Sequence, residues 1–356
     1  MKRVEDYNED IRIETTYYGN GNISGIFYIK NSNSLYHRED GPATIEYYNN
    51  GQKCKECWYK DGKHHRKDGP AIIKYYHDGQ KSDECWFKDG EHHRKGDPAA
   101  IYYYRNGQIL KEYWYEYDKA HNENGPAKIY YDFDNNITKK IWCINGKYHR
   151  ENGPAEIIYY DNGNVESEFW CKDDKFHRKD GPAIIEYYPD GSIKMECYYL
   201  NDKRNSINDE PSTINYFNNG QIESQCWYIN NNLDRKNGPA VINYNEFGKK
   251  IRQAWYKYGK YHNEFGPAEI CDDDFRYTPN EYFYIDGKFF SQKSKLFIDL
   301  KYKLLNNKIN VNRYKNLNNL KLLSAIAYRF IPNNVELIQQ IRERIDNLEI
   351  IKELST

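Results

Sequence analysis

The chain has 356 residues, 38% hydrophobic and 29% charged, with 52 Lys and Arg against 53 Asp and Glu and a net charge of -1. A mean hydropathy of -1.05 excludes a thick aliphatic core, and the charge balance excludes a global field that would gather nucleic acid or anionic lipid. The 37 Tyr, 14 Phe and 7 Trp exclude the aromatic-poor composition of a disordered chain, so a thin but folded structure is expected.

The N-terminus, MKRVEDYNEDIRIETTYYGN, lacks the apolar run of a secretory signal, and no stretch approaches 18 consecutive apolar residues. With eight cysteines, the expectation is a soluble, intracellular protein in a reducing compartment. Residues 1–41 read as an N-terminal capping segment with a degenerate first unit, because Gly25-Ile26-Phe27-Tyr28 runs into a lengthened Asn31-Ser32-Asn33-Ser34 turn.

From residue 42 to 289 the chain repeats. Nine of the twelve prolines lie at 42, 70, 98, 126, 154, 182, 211, 239 and 267, a step of 28 with one of 29. Trp58, Trp86, Trp114, Trp142, Trp170, Trp227 and Trp255 each fall sixteen residues after such a proline, with Tyr198 and Phe283 in the remaining slots. Most prolines sit in Gly-Pro-Ala, and His37, His65, His93, His121, His149, His177 and His262 stand five residues before them. A lone catalytic site uses unique residues, whereas recurrence at one phase marks architecture.

Within a unit, Ala71-Ile72-Ile73-Lys74-Tyr75-Tyr76 reads as a strand and His77-Asp78-Gly79-Gln80 as a hairpin turn. A second strand ends at Glu84-Cys85-Trp86-Phe87, and Lys88-Asp89-Gly90-Glu91 turns the chain again. Two strands in this length leave no room for a βαβ crossover. Alternation places Ala71, Ile73 and Tyr75 on a uniformly apolar face, the other face being variable, and proline opens each strand without costing a ladder hydrogen bond.

Residues 290–356 change character. Leu and Ile replace Gly, and runs at 292–306, 314–330 and 333–354 have helical spacing, the last with Ile338, Ile341, Ile345 and Leu348 in one stripe after Pro332. This helical C-terminal module either caps the sheet edge or forms a small cluster, or it offers a helix to a partner. The fold class expected is mainly β: an elongated antiparallel β-hairpin array, a single-layer meander rod, with small C-terminal helices.

The chemistry-bearing residues fit the repeat. Cys54-x-x-Cys57 lacks the second ligand pair of a zinc site. Equivalent histidines lie two strand spacings apart, roughly 9.6 Å, too far to share one metal, and His64-His65 and His92-His93 point apart on an extended segment. The histidines therefore read as hydrogen-bonding turn residues. His-Arg pairs such as His177-Arg178 suggest a phosphate stripe, but neighbouring acids such as Asp180 cancel most of its charge. No catalytic, cofactor-binding or metal-binding residue is assigned, and no cofactor is expected.

Tyr75-Tyr76-His77-Asp78-Gly79 followed by Trp86-Phe87-Lys88-Asp89-Gly90-Glu91-His92-His93-Arg94, together with Trp255-Tyr256-Lys257-Tyr258-Gly259-Lys260, resembles MORN-type repeats in their longer variant. The His-Arg-x-x-Gly-Pro-Ala form is similar to repeat proteins multiplied in giant DNA viruses; for a viral chain the compartment would be the host cytoplasm. The resemblance covers residues 17 to 290 and implies a β-hairpin rod for binding or scaffolding without catalysis.

The expected function is a non-enzymatic scaffold for protein–protein interaction, its candidate surface Tyr47, Tyr75, Tyr103, Tyr131, Tyr159 and Tyr187. The protein partner is unidentified and nucleic acid is not expected. The alternative is a phospholipid-surface or polyanion binding module, with membrane association open; a third, an enzyme site in 290–356, is opposed by the lack of His and Cys there.

Periodicity makes a direct prediction. Deleting 127–154 removes one whole period and should leave a folded chain with a modest loss of stability. Deleting fourteen of those residues joins unlike strands; circular dichroism and denaturant titration should find this shorter deletion the more damaging.

Overall fold

The computed structural model describes residues 2–6, 9–206, 208–272, 280–292, 294–305, 309–314 and 316–353. The chain forms two compact units, Met1–Phe176 with Pro189–Gly191, and His177–Tyr188 with Ser192–Thr356. The division falls inside the repeat array, and the helices belong to the second unit.

Every period before Pro267 contains four strands rather than the expected two. After Pro70 come Ile72–Tyr75 and Lys81–Cys85, then a small hairpin of Phe87–Lys88 and Glu91–His92. The longer strands build an antiparallel meander: Ile73 faces Glu84 within its own hairpin and Glu56 of the preceding one. Ile101 sits likewise between Glu84 and Glu112. An isolated hairpin is marginal in water, so this edge-to-edge pairing is what makes each unit stable.

The turns follow their sequences. Gly79 takes φ +88°, its N–H donates to the Tyr76 carbonyl at 2.9 Å, and the Asp78 carboxylate accepts from the Gln80 N–H at 3.1 Å. The register slips by one residue between Lys74 and Tyr75, the bulge such a turn requires. In the small hairpin Asp89 and Gly90 have φ of +54° and +95°, the paired positive values of a type I′ turn. At Tyr117-Asp118 a non-glycine residue holds the second position at φ +60°, and its carboxylate accepts from the His92 N–H at 2.8 Å.

Proline lies just outside the strand instead of opening it. Ala71 follows, fully buried, and its N–H donates to the Cys85 carbonyl while its own carbonyl accepts from Trp58, both at 2.8 Å. The residue after each repeat proline is buried in the same way, alanine in eight units and Ser212 in the ninth.

The three expected helical runs are α1 (Lys295–Leu305), α2 (Leu317–Phe330) and α3 (Val335–Glu353). Asn316 caps α2 by accepting from the Asn319 N–H, and Asn334 accepts from Leu337 at the start of α3. Phe297, Leu300 and Leu304 of α1, Leu320, Leu323 and Ile326 of α2, and Ile338, Ile341 and Ile345 of α3 share one core with Phe283, Ile285 and Phe290. Those last three belong to the terminal hairpin, Asn280–Ile285 and Lys288–Phe290. The helices thus cover the last hairpin of the array.

An ion network around the buried Lys321 pins this cover. The Lys321 ammonium of α2 reaches Glu349 of α3 at 2.6 Å and Glu264 of the last repeat loop at 3.1 Å, and Glu264 also meets His262 Nε2 at 3.0 Å. Burial opposes the Glu264 charge, but His262 and Lys321 outweigh it and bring its pKa from 4.5 down to about 2. A depressed carboxylate stabilises the fold above its unfolded value, and that contribution disappears as pH falls towards the folded one.

Stability measured by denaturant should therefore decline more steeply between pH 5 and pH 2 in the native protein than in Glu264→Gln. Lys321→Ala, which removes the ammonium shared by the partly buried Glu264 and the more exposed Glu349, should cost about 1–3 kcal/mol at neutral pH, with faster amide exchange across α2.

Candidate interaction surface

The six candidate tyrosines occupy one position in successive hairpins, and all six are half-buried. The face they share is not purely apolar, because glutamates emerge on it opposite the strand isoleucines. Glu56 and Glu84 are buried there, and Tyr75 Oη donates to Glu56 Oε2 at 2.5 Å. Tyr103 donates to Glu84 at 2.6 Å and Tyr131 to Glu112 at 2.7 Å. Lys53 and Lys81 hold the other oxygens of Glu56 and Glu84 at 2.7 and 2.6 Å. Burial, then the carboxylate, pushes the phenols of Tyr75, Tyr103 and Tyr131 upward.

Tyr47, Tyr159 and Tyr187 complete the row. Burial pushes Tyr47 upward, Tyr159 lies beneath the Lys140 ammonium at 5.5 Å from its ring centre, and Tyr187 stands in the second compact unit. There the same bond recurs from Tyr216 to Glu196 at 2.7 Å.

The second residue of each Tyr-Tyr pair bonds forward. Tyr48 donates to the Tyr75 carbonyl at 2.7 Å, Tyr76 to Tyr103 at 2.6 Å and Tyr104 to Tyr131 at 3.0 Å. Tyr75-Tyr76 and Tyr103-Tyr104 therefore each clip their own hairpin to both neighbours.

The His-Arg loops are similarly engaged. The Arg66 guanidinium stacks 4.0 Å above the Trp58 ring centre and donates to the Pro70 carbonyl at 3.2 Å; Arg94 on Trp86, Arg150 on Trp142 and Arg235 on Trp227 repeat this at 4.1, 3.9 and 3.8 Å. This explains the glycine before proline, since a Cβ at Gly69 would lie 2.9 Å from Arg66 Cζ. Asp97 stands where a neighbouring unit has glycine, and its carboxylate pairs with Arg94 Nη2 at 3.1 Å. His37 Nδ1 accepts from the Asp61 N–H at 3.1 Å, and His121 and His262 accept from Asn145 and Asp286 at 3.2 and 3.1 Å. Each of these rings braces the tight turn of the next unit, as their sequence position suggested.

Grooves open between successive loops. One of about 500 Å³ is lined by Arg38, Asp40, Trp58, Lys60 and Arg66; another of about 450 Å³, at the same register in the second unit, is lined by Arg178, Asp180, Tyr198, Leu200 and Pro211.

Sequence reasoning missed an aromatic column. Phe27, Tyr36, Tyr59, His64, Phe87, His92 and Tyr115 follow one another at ring-centre distances of 6.0, 5.4, 4.1, 5.1, 4.1 and 5.2 Å. His64 enters this column, and burial lowers its pKa, while His65 turns away to meet Asp89 at 3.1 Å. The available signal was the aromatic residue directly after Trp58, Trp86 and Trp114.

The eight cysteines are free thiols. Cys54 and Cys57 stand three apart on one extended strand and so point to opposite faces. Burial pushes the Cys85 and Cys143 thiols up to about 11, away from nucleophilic reactivity. Among the described residues no group of three or more His, Cys, Asp or Glu side chains is placed to hold a metal ion, and no helix is long and apolar enough to cross a membrane.

Neither a family model nor a curated protein matches the sequence. Among solved structures, the chain is similar to one titled "Crystal Structure of TcdB2-TccC3-TEV", with 11% identity and a TM-score of 0.17 over 73% of this chain. It spans 14% of that chain, and the likeness carries no argument about fold or function.

The inter-unit bond is open to a double-mutant cycle. Tyr75→Phe should cost about 1.5–3 kcal/mol, the range for a hydrogen bond to a charged partner. Combined with Glu56→Gln the two losses should fall short of additive in urea denaturation, whereas Tyr75→Phe with Tyr131→Phe should be additive.

Proposed function

We propose that this chain is a non-enzymatic repeat scaffold of MORN-like character that offers its periodic tyrosine row to a protein partner. The observation that carries the reading is the division of labour within each tyrosine. At Tyr75, Tyr103 and Tyr131 the hydroxyl is spent on the preceding hairpin, while the half-buried ring remains partly in contact with solvent. Rings held this way have little conformational freedom left to lose on binding, and immobilised aromatic side chains make effective protein contacts. The same economy applies to the recurring His and Arg residues, whose polar atoms brace turns and loops.

Binding spread over equivalent units should fade gradually. Tyr75→Ser, Tyr103→Ser and Tyr131→Ser, introduced one, two and three at a time, should lower partner recovery on immobilised full-length protein stepwise. The matched Tyr→Phe series keeps the rings and should retain most of it once folding is verified by circular dichroism. Complete loss of activity from one polar substitution, His121→Gln for example, in a folded protein would overturn the scaffold reading in favour of a unique site.

A further inference from the structure

The opposite sheet face carries a feature that the repeat does not explain. Across four adjacent strands of the first unit, Tyr102, Lys111, Tyr130 and Lys139 stand directly opposite one another in register. Tyr113 and Lys128 form a second pair beside them. In the preceding repeats this row reads Lys55, Lys74 and Asp83, so the alternation of ring and ammonium is local. The lysines lie on the rings: Lys111 Nζ is 4.3 Å from the Tyr102 centre and 5.3 Å from that of Tyr113, and Lys128 Nζ is 5.6 Å from Tyr113.

Charge is compensated at both margins. Lys74 pairs with Asp83 at 2.9 Å, and Lys139 with Glu156 at 2.8 Å. Among the described residues neither Lys111 nor Lys128 has an ion-pair partner. Two uncompensated ammonium groups on neighbouring strands, positioned by aromatic rings, thus stand at the centre of the patch. Tyr113 Oη and Tyr130 Oη share a hydrogen bond of 3.0 Å, so one hydroxyl proton of the pair stays available to an incoming acceptor.

We infer that Lys111, Lys128 and Tyr130 form a docking site for a phosphorylated side chain on a protein partner. A phosphate monoester carries about -1.5 to -2 charges at neutral pH and three acceptor oxygens, which matches two ammonium groups and one hydroxyl; a single carboxylate would leave one ammonium uncompensated. The rings of Tyr102 and Tyr113 already bear ammonium groups, so they do not offer the open stacking platforms that a single-stranded nucleic acid uses. Two charges on adjacent strands are also few for an anionic membrane, where attraction accrues at about 1 kcal/mol per basic residue. Ring-held lysines lose little freedom on binding, the preorganisation that a small charged site depends on. The inference concerns the face opposite the Tyr75 row and does not depend on the scaffold reading.

The test uses the full-length chain and a labelled Gly-Ser peptide bearing one phosphoserine, read by fluorescence anisotropy at low salt. Its unphosphorylated twin, a Glu-substituted twin, an oligothymidylate and phosphatidylserine vesicles complete the set. Binding should favour the phosphopeptide and weaken about tenfold when Lys111→Gln and Lys128→Gln are combined, as loss of charge-assisted hydrogen bonds requires. Lys74→Gln, at a compensated margin, should leave it unchanged, and the Lys111→Arg, Lys128→Arg variant should restore it. Equal binding of the unphosphorylated or Glu-substituted peptide would overturn the inference. So would unchanged affinity in the folded double Gln variant, or preference for the oligonucleotide or the vesicles.

Discussion

The structure depends on one constraint: a hairpin of this length cannot bury enough surface to stand alone, so its stability must come from its neighbours. The backbone ladder supplies part of that coupling, and the side chains add direction to it. In the Tyr75-Tyr76 pair the first tyrosine reaches back to Glu56 and the second reaches forward to the Tyr103 carbonyl, and Tyr103-Tyr104 does the same one unit on. A slipped register would break both bonds at once, so the same contacts that hold adjacent hairpins together also fix their alignment. This is how a chain of low mean hydropathy maintains an ordered sheet with few aliphatic residues.

Other recurring residues serve the same coupling at different depths. Histidine crosses to the tight turn of the following unit, and arginine spans from tryptophan to the carbonyl of its own proline. Stacking a guanidinium on an indole buries carbon surface while leaving its N–H groups directed at acceptors. The glycine before proline is the steric consequence, and Asp97 shows how its loss is accommodated by an ion pair. At the far end the helices close over Phe283, Ile285 and Phe290, and Lys321 ties two of them to the last loop. An array built from mutual contacts needs such an ending, because its last hairpin has no successor.

Because most polar groups are consumed in this way, surface properties arise from what the repeat leaves over. On one face these are half-buried rings whose hydroxyls are occupied. On the other they are departures from the repeat, and the alternation of Tyr102, Lys111, Tyr130 and Lys139 is one. A function that requires one location along an array of equivalent units has to be carried by such departures.

The sequence by itself determined the period, the mainly β class, the hairpin turns and the three helical runs. Each of these depends on local conformation: Gly79 and Gly90 announce positive φ, and the stripe at Ile338, Ile341 and Ile345 announces a helix. It also identified the histidines as turn residues and separated His64 from His65, since alternation along an extended segment is a local rule. Only the tertiary structure decided which partners those residues meet. The glutamate ladder beneath the tyrosines, the aromatic column from Phe27 to Tyr115 and the small hairpin within each unit all join residues that are distant in sequence or finer than the strand pattern. Cross-strand register sets those pairings, and a period reports that units are alike without reporting which atoms of one unit touch the next.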